Sequence, residues 1–168
     1  MEDPYVRTRT LHAGGGYHIS YQIYDGLLRD RQVQTSTVGG DRVVSDTLYD
    51  NAGRAHVTYP RHGRAGAPSG TLWWAPENSL PAVIKKEYDD ASRPVAEILY
   101  GPDDVEALVE KWRTTTAYTG DTTQVTPPAG GVPTTTVTDA QGRTVELRQH
   151  TTPQGVDGPY QATRYTYN

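Results

Sequence analysis

The chain has 168 residues, a net charge of −4 and a pI near 5.7, with no Cys, no Phe and one Met. Its 16 basic residues are scattered, usually beside acidic ones, which removes the electrostatic case for nucleic acid or an anionic membrane as partner. Zero Cys excludes disulfide staples and thiolate metal sites, and no run approaches the ~18 apolar residues of a membrane-spanning helix. What remains is rich in Tyr (12) and Thr, residues that suit a pleated, half-buried surface, with Gly 17 and Pro 12 to make turns. An apolar share of 35% and a mean hydropathy of −0.70 imply sheets wetted on at least one face.

In chain order, residues 1–16 read as a lead-in strand followed by a Gly-rich connection. Met1-Glu2-Asp3-Pro4-Tyr5 lacks the apolar stretch of a secretory signal. Ala13-Gly14-Gly15-Gly16-Tyr17 is a flexible connection by the same reading, since it has neither the Lys-Ser/Thr of a phosphate loop nor a following helix pattern. Residues 17–168 then alternate as strands do. Ile19, Tyr21 and Ile23 share a face, as do Val33, Thr35 and Thr37. Val43, Ser45, Thr47 and Tyr49 oppose Val44, Asp46 and Leu48, and Val145 and Leu147 continue the pattern. Val38-Gly39-Gly40-Asp41, Thr119-Gly120-Asp121 and Pro127-Pro128-Ala129-Gly130-Gly131 mark turns, and 60–70 reads as a longer loop.

A six-residue unit recurs through this region. Tyr49-Asp50-Asn51-Ala52-Gly53-Arg54 is the cleanest copy. Tyr24-Asp25-Gly26-Leu27-Leu28-Arg29 has Leu in place of Gly, Tyr88-Asp89-Asp90-Ala91-Ser92-Arg93 has Ser there, and Thr138-Asp139-Ala140-Gln141-Gly142-Arg143 has Thr in place of Tyr. Tyr167-Asn168 reads as the first two residues of a further, truncated copy. The aromatic residue closes an incoming strand, and its ring covers the neighbouring pair. Asp suits the first position of a type I turn, where its carboxylate accepts backbone N–H groups. Gly three residues later takes the left-handed conformation and gives a hairpin with a G1-type bulge, and Arg opens the return strand. A side chain in that conformation costs roughly 1–2 kcal/mol, so Leu28 and Ser92 are expected to mark altered turns.

One segment departs from strand spacing. Val105, Leu108, Val109 and Trp112 fall at helical intervals behind Pro102-Asp103-Asp104. A short helix near 103–110 followed by a strand is the preferred reading, and a hairpin loop leading into the strand 111–118 is the alternative.

With its repeats laid out, the chain resembles the YD-repeat (Rhs-type) family of large bacterial cell-surface and toxin proteins, over most of its length from Tyr17 to Asn168. Thr126-Pro127-Pro128-Ala129-Gly130-Gly131-Val132-Pro133-Thr134 is similar to stretches common in actinobacterial members. The resemblance implies an all-β antiparallel meander of hairpins, forming part of a β-sheet that spirals into a hollow shell. That shell encloses a C-terminal effector, often a toxin used in bacterial competition. It implies an exported, extracellular or cell-surface setting, and partners in the remaining repeats, the shell's core and the enclosed toxin. The family's core region with its autoproteolytic Asp pair has no counterpart here and no toxin domain follows, so the chain is expected to be a fragment, a truncated reading frame or a partial shell.

Residues that could carry chemistry give little. His12 with His18, and His56 with His62, are spaced as no established zinc motif is. No Gly-x-Ser-x-Gly accompanies them. Asp89-Asp90 and Asp103-Asp104 are adjacent pairs, which on a strand point to opposite faces, so turn and cap roles explain them better than acid–base chemistry. No catalytic residue, cofactor or metal is expected. Trp73-Trp74, with Tyr59 and Tyr88 nearby, is the one constellation that suggests contact with a surface glycan or a protein; against it stands one Trp packing inward and the other outward on a strand. A scaffold segment ranks first, a glycan-binding module second and a hydrolase third.

Overall fold

The structure is a computed structural model and describes residues 3–103, 105, 107–151 and 155–168. Among these residues twelve strands follow one another in chain order in one antiparallel, unclosed sheet. They are β1 (Tyr5–Leu11), β2 (Tyr17–Tyr24), β3 (Asp30–Ser36), β4 (Arg42–Tyr49), β5 (Ala55–Arg64), β6 (Val83–Tyr88), β7 (Pro94–Pro102), β8 (Leu108–Thr119), β9 (Thr122–Thr126), β10 (Thr134–Thr138), β11 (Thr144–His150) and β12 (Tyr160–Arg164). The strands read from composition and alternation form, and they are arranged in the all-β antiparallel meander that the resemblance implied. Short 3₁₀ turns at Glu77–Ser79 and Gly155–Asp157 are the helical exceptions.

The turns explain why strands stop where they do. After β2, Asp25 N–H donates to Arg29 O (3.0 Å) and Leu28 N–H to Asp25 O (2.9 Å). The same two bonds recur at 50–54, 89–93 and 139–143, with Gly53, Ser92 and Gly142 in the place of Leu28. The register slips at Ile23/Tyr24, Leu48/Tyr49 and Val137/Thr138, as a bulge after a left-handed residue requires. Residues 12–16 and 37–41 close by the same pair of bonds, so the Gly-rich stretch expected as a flexible connection is a tight hairpin turn between β1 and β2. Leu28 (φ 59°) and Ser92 (φ 62°) sit where Gly53 and Gly142 sit. The altered turns expected there do not occur, because the surrounding hydrogen bonds hold the backbone whatever side chain occupies the position.

The helix expected near 103–110 is not formed either. Asp103 N–H donates to Ala107 O (2.9 Å), and Asp103 Oδ1 accepts from Val105 N–H (3.0 Å) and Ala107 N–H (2.8 Å). Leu108 already begins a strand. Asp104, on which the helix reading also rested, lies outside the described residues. The helical spacing was the chance product of a five-residue turn joined to a strand, and Val105 is exposed rather than facing a core. The long loop is also shorter at its start than expected, because β5 continues through Arg64.

The chain divides into two compact units. The first comprises Met1–Lys85 and Tyr100–Val109. One face of its sheet buries Ile23, Val44, Val57 and Tyr59, and residues 65–82 fold over that face and add Leu80. Val83, at the start of β6, is fully buried in the same cluster, with Leu48, Ala75, Tyr100 and Leu108 packed around it. The second comprises Lys86–Leu99 and Glu110–Asn168. It buries Ala96, Ile98, Pro133, Thr135 and His150, and the other described residues of this Thr-rich unit are half-buried or exposed.

A glycine at either strained position removes the left-handed cost of roughly 1–2 kcal/mol while adding about 0.5–1 kcal/mol of unfolded-chain entropy. Leu28→Gly and Ser92→Gly are therefore each expected to stabilise the protein by roughly 0.5–1 kcal/mol. Gly53→Ala and Gly142→Ala should act in the opposite direction. Urea unfolding midpoints at constant m-value measure both.

Candidate functional site

Each repeat turn is closed by its own side chains. Asp25 Oδ1 accepts from Leu27 N–H (2.8 Å) and Arg29 N–H (2.9 Å), while Asp25 Oδ2 takes the Arg29 guanidinium at 2.7 Å. Asp50 does the same with Ala52, Arg54 N–H and the Arg54 side chain, and Asp139 with Gln141 and both groups of Arg143. Asp89 is bound by both groups of Arg93. In all four the arginine's backbone N–H is the largest cause that holds the carboxyl below its ordinary value of 3.8, with the guanidinium adding to it. A planar fork that meets one carboxylate oxygen while the backbone meets the other leaves the turn few alternatives.

Three tyrosines do something different: Tyr49, Tyr118 and Tyr167 each reach across the sheet to the arginine of a preceding repeat turn. Tyr49 lies on the Arg29 guanidinium, 4.1 Å from charge to ring centre, and its hydroxyl donates to Asp30 O (2.9 Å). Tyr118 lies on Arg93 (4.4 Å) and donates to Pro94 O (3.0 Å). Tyr167 lies on Arg143 (4.7 Å) and donates to Thr144 O (2.7 Å). Thr138 stands where a tyrosine would, and its hydroxyl reaches Asp121 O at 3.1 Å. Tyr88 closes β6 as the repeat reading placed it.

In the first unit the sheet face beneath residues 65–82 is polar at its centre. Gln32 and Gln34, two positions apart on β3, are both fully buried. Gln32 accepts from Trp73 N–H (2.9 Å) and donates to Trp73 O (2.8 Å); Gln34 accepts from Ser69 N–H (3.0 Å) and donates to Thr71 O (2.8 Å). The carboxamides thus bind alternate residues of the covering segment as a neighbouring strand would. Asp46, paired with Arg31 and bonded to Gln32, closes the network beneath. Tyr59 donates to Glu77 Oε1 (3.2 Å), and burial, reinforced by Glu77, pushes its hydroxyl up to about 12.

This placement separates the two tryptophans. Trp73 is half-buried, with Arg64 at 4.7 Å over its ring and His62 at 5.7 Å, whereas Trp74 is 74% exposed. His12 and His18 meet edge to face at 5.9 Å, and His18 Nδ1 lies 3.5 Å from Ser36 Oγ, beside a groove of about 800 Å³ that Tyr17, Val38 and Pro68 help to line. His56 and His62 do not pair. Among the described residues no three His, Cys, Asp or Glu converge as metal ligands. Asp89 and Asp103 serve their turns, and Asp90 is an exposed turn residue. Alternation could have revealed that β3 turns Gln32 and Gln34 inward, but nothing in their chemistry suggested it. The chain matches no protein-family model, and no curated protein matches it.

The depressed aspartates set an acid limit. A carboxyl held low in the folded state contributes stability above its ordinary value of 3.8, and that contribution is lost as pH falls through the lower folded value. Thermal midpoints should therefore drop steeply below about pH 4, and Asp50→Asn with Asp139→Asn should lower the neutral midpoint and flatten that acid slope. Gln32→Ala leaves Trp73 N–H and O without partners, at roughly 1–3 kcal/mol. Chymotrypsin should then cut at Trp73–Trp74 faster than in the parent, as timed digestion would report.

Proposed function

We propose that this chain is a non-catalytic structural segment of a YD-repeat, Rhs-type shell, a wall that encapsulates a C-terminal toxin or effector and helps deliver it in bacterial competition. The observation that carries this reading is the lock between hairpins. Arg29, Arg93 and Arg143 are each held by a tyrosine from beyond their own hairpin, so a hairpin is completed by the next one and the sheet can grow by adding units. The outer strands β1 and β12 support it. Each pairs on one side, and both are exposed along their whole length. Arg7 and Arg9 on β1 and Arg164 on β12 lie on the faces of buried Ile23 and His150, but neither strand carries a bulge or a proline that would block a further strand. In this reading further repeats cover both edges, and the wall works as part of a larger exported protein at the cell surface.

Trp74 favours a second reading, a module that recognises cell-surface glycans, because an exposed indole can stack on a sugar ring.

The first reading expects open edges to associate. Sedimentation velocity of the purified chain should show concentration-dependent oligomers, and Val6→Lys with Ala162→Lys should return it to monomer. A parent that stays monomeric throughout counts against the wall. For the second reading, Trp73→Ala with Trp74→Ala should abolish binding on a glycan array, and an unchanged signal removes it.

A further inference from the structure

Arg42 on β4 and Arg64 on β5 are direct cross-strand partners, two like charges facing each other on the sheet face that residues 65–82 cover. Opposed like charges at the ~5 Å spacing of such a pair are destabilising. Neither arginine has a carboxylate to relieve it among the described residues. Asp46 is taken by Arg31 and Gln32, Glu77 by Lys85 and Tyr59, and Asp41 accepts Gly66 N–H at 3.0 Å. Their terminal nitrogens go instead to neutral oxygens: Arg42 to Gln34 Oε1 (3.1 Å) and Ala67 O (3.3 Å), Arg64 to Ser79 O (3.0 Å). This leaves Nε of Arg42 and Nε of Arg64 buried without a protein acceptor.

A third group completes the set. His62, 6% exposed, is two residues before Arg64 and pairs across the strands with Val44. Its Nδ1 lies 2.8 Å from Pro60 O, so Nδ1 carries the proton and donates. Nε2 is then the lone-pair nitrogen of the neutral ring, and it too is buried without a partner. Two guanidinium donors and one imidazole acceptor therefore sit on neighbouring rungs of β4 and β5, on the same sheet face.

We infer that Arg42, Arg64 and His62 form a binding site for a phosphate-type oxyanion that keeps one proton. Its unprotonated oxygens accept from the two Nε–H groups, its O–H donates to His62 Nε2, and its charge offsets the opposed arginines. Guanidinium groups suit this partner because charge-assisted bonds to phosphate oxygens are short and strong. The part of the covering segment nearest Arg42 meets the sheet through the polar side chains of Gln32, Gln34 and Arg42, while Ala75 and Leu80 anchor its other part in the core. Inorganic phosphate presents this chemistry at neutral pH, and a phosphate monoester presents it as the monoanion, below its second pKa of about 6.

Trp73 reports on the site, since Arg64 and His62 both contact its ring. In a Trp74→Phe, Trp112→Phe background, titration with inorganic phosphate at constant ionic strength should change Trp73 fluorescence saturably and raise the thermal midpoint. Sulfate, which has no proton to give His62, should bind more weakly. O-phosphoserine tested alongside distinguishes the sources: binding tighter than phosphate assigns the site to a monoester, and weaker binding to the free ion. Arg64→Lys keeps the charge and loses the Nε donor, and should weaken binding about tenfold, the worth of one charge-assisted bond. Arg42→Gln with Arg64→Gln, checked for retained β-sheet circular dichroism, should abolish it. No response to phosphate, or an equal response in Arg64→Lys, overturns the site, and sulfate binding as tightly as phosphate overturns the role given to His62.

Discussion

The fold depends on one carboxylate arrangement. An aspartate at the start of a turn takes two backbone N–H groups with one oxygen, as at Asp25, Asp50 and Asp139. In the four repeat turns the other oxygen takes the arginine side chain. Hairpins of short strands are marginal alone, and their register is set by the turn. With the turn fixed from inside, the strands need little apolar surface to hold alignment. This accounts for a sheet whose faces carry so much Thr, Gln and Ser, and for the tolerance of Leu28 and Ser92 in a glycine's conformation.

The covering segment 65–82 shows a different economy. An apolar strap over a sheet is usually held by greasy contacts, and part of this one is, at Leu80 and Ala75. Its other half is held by carboxamides that imitate a strand edge. Main-chain recognition of this kind leaves the strap's side chains free to vary. Trp73 can lie against Arg64 and His62 while Trp74 faces outward, without either choice affecting the bonds beneath.

The legible part of the molecule was what local chemistry dictates. Asp-x-x-Gly-Arg states its own turn, and alternation around Val44 and Asp46 states which side is inward. What could not be read depended on distance in sequence. Nothing adjacent to Arg29 announces that it will meet Tyr49, because the two come together only when strands pair. Gln32 and Gln34 look like exposed strand residues until the segment 35 and more residues further on folds over them. Asp103 was missed for the opposite reason: its turn lacks the glycine and arginine spelling, and apolar residues beyond it fell by chance at helical intervals. Asp103 nonetheless accepts from Val105 N–H and Ala107 N–H, as the repeat aspartates do in their turns.

The lock between Tyr49 and Arg29, repeated at Tyr118 and Tyr167, runs across the strands and not along the chain. Linear distance between successive units is therefore not under selection by the lock itself. The intervals from Tyr24 to Tyr49, Tyr88 and Thr138 are free to lengthen. Insertions such as 65–82 enter at the strand ends away from the repeat turns, where they disturb no tyrosine. A sheet built this way keeps one margin uniform and leaves the other open to elaboration, so new loops can be tried on a wall that stays in register.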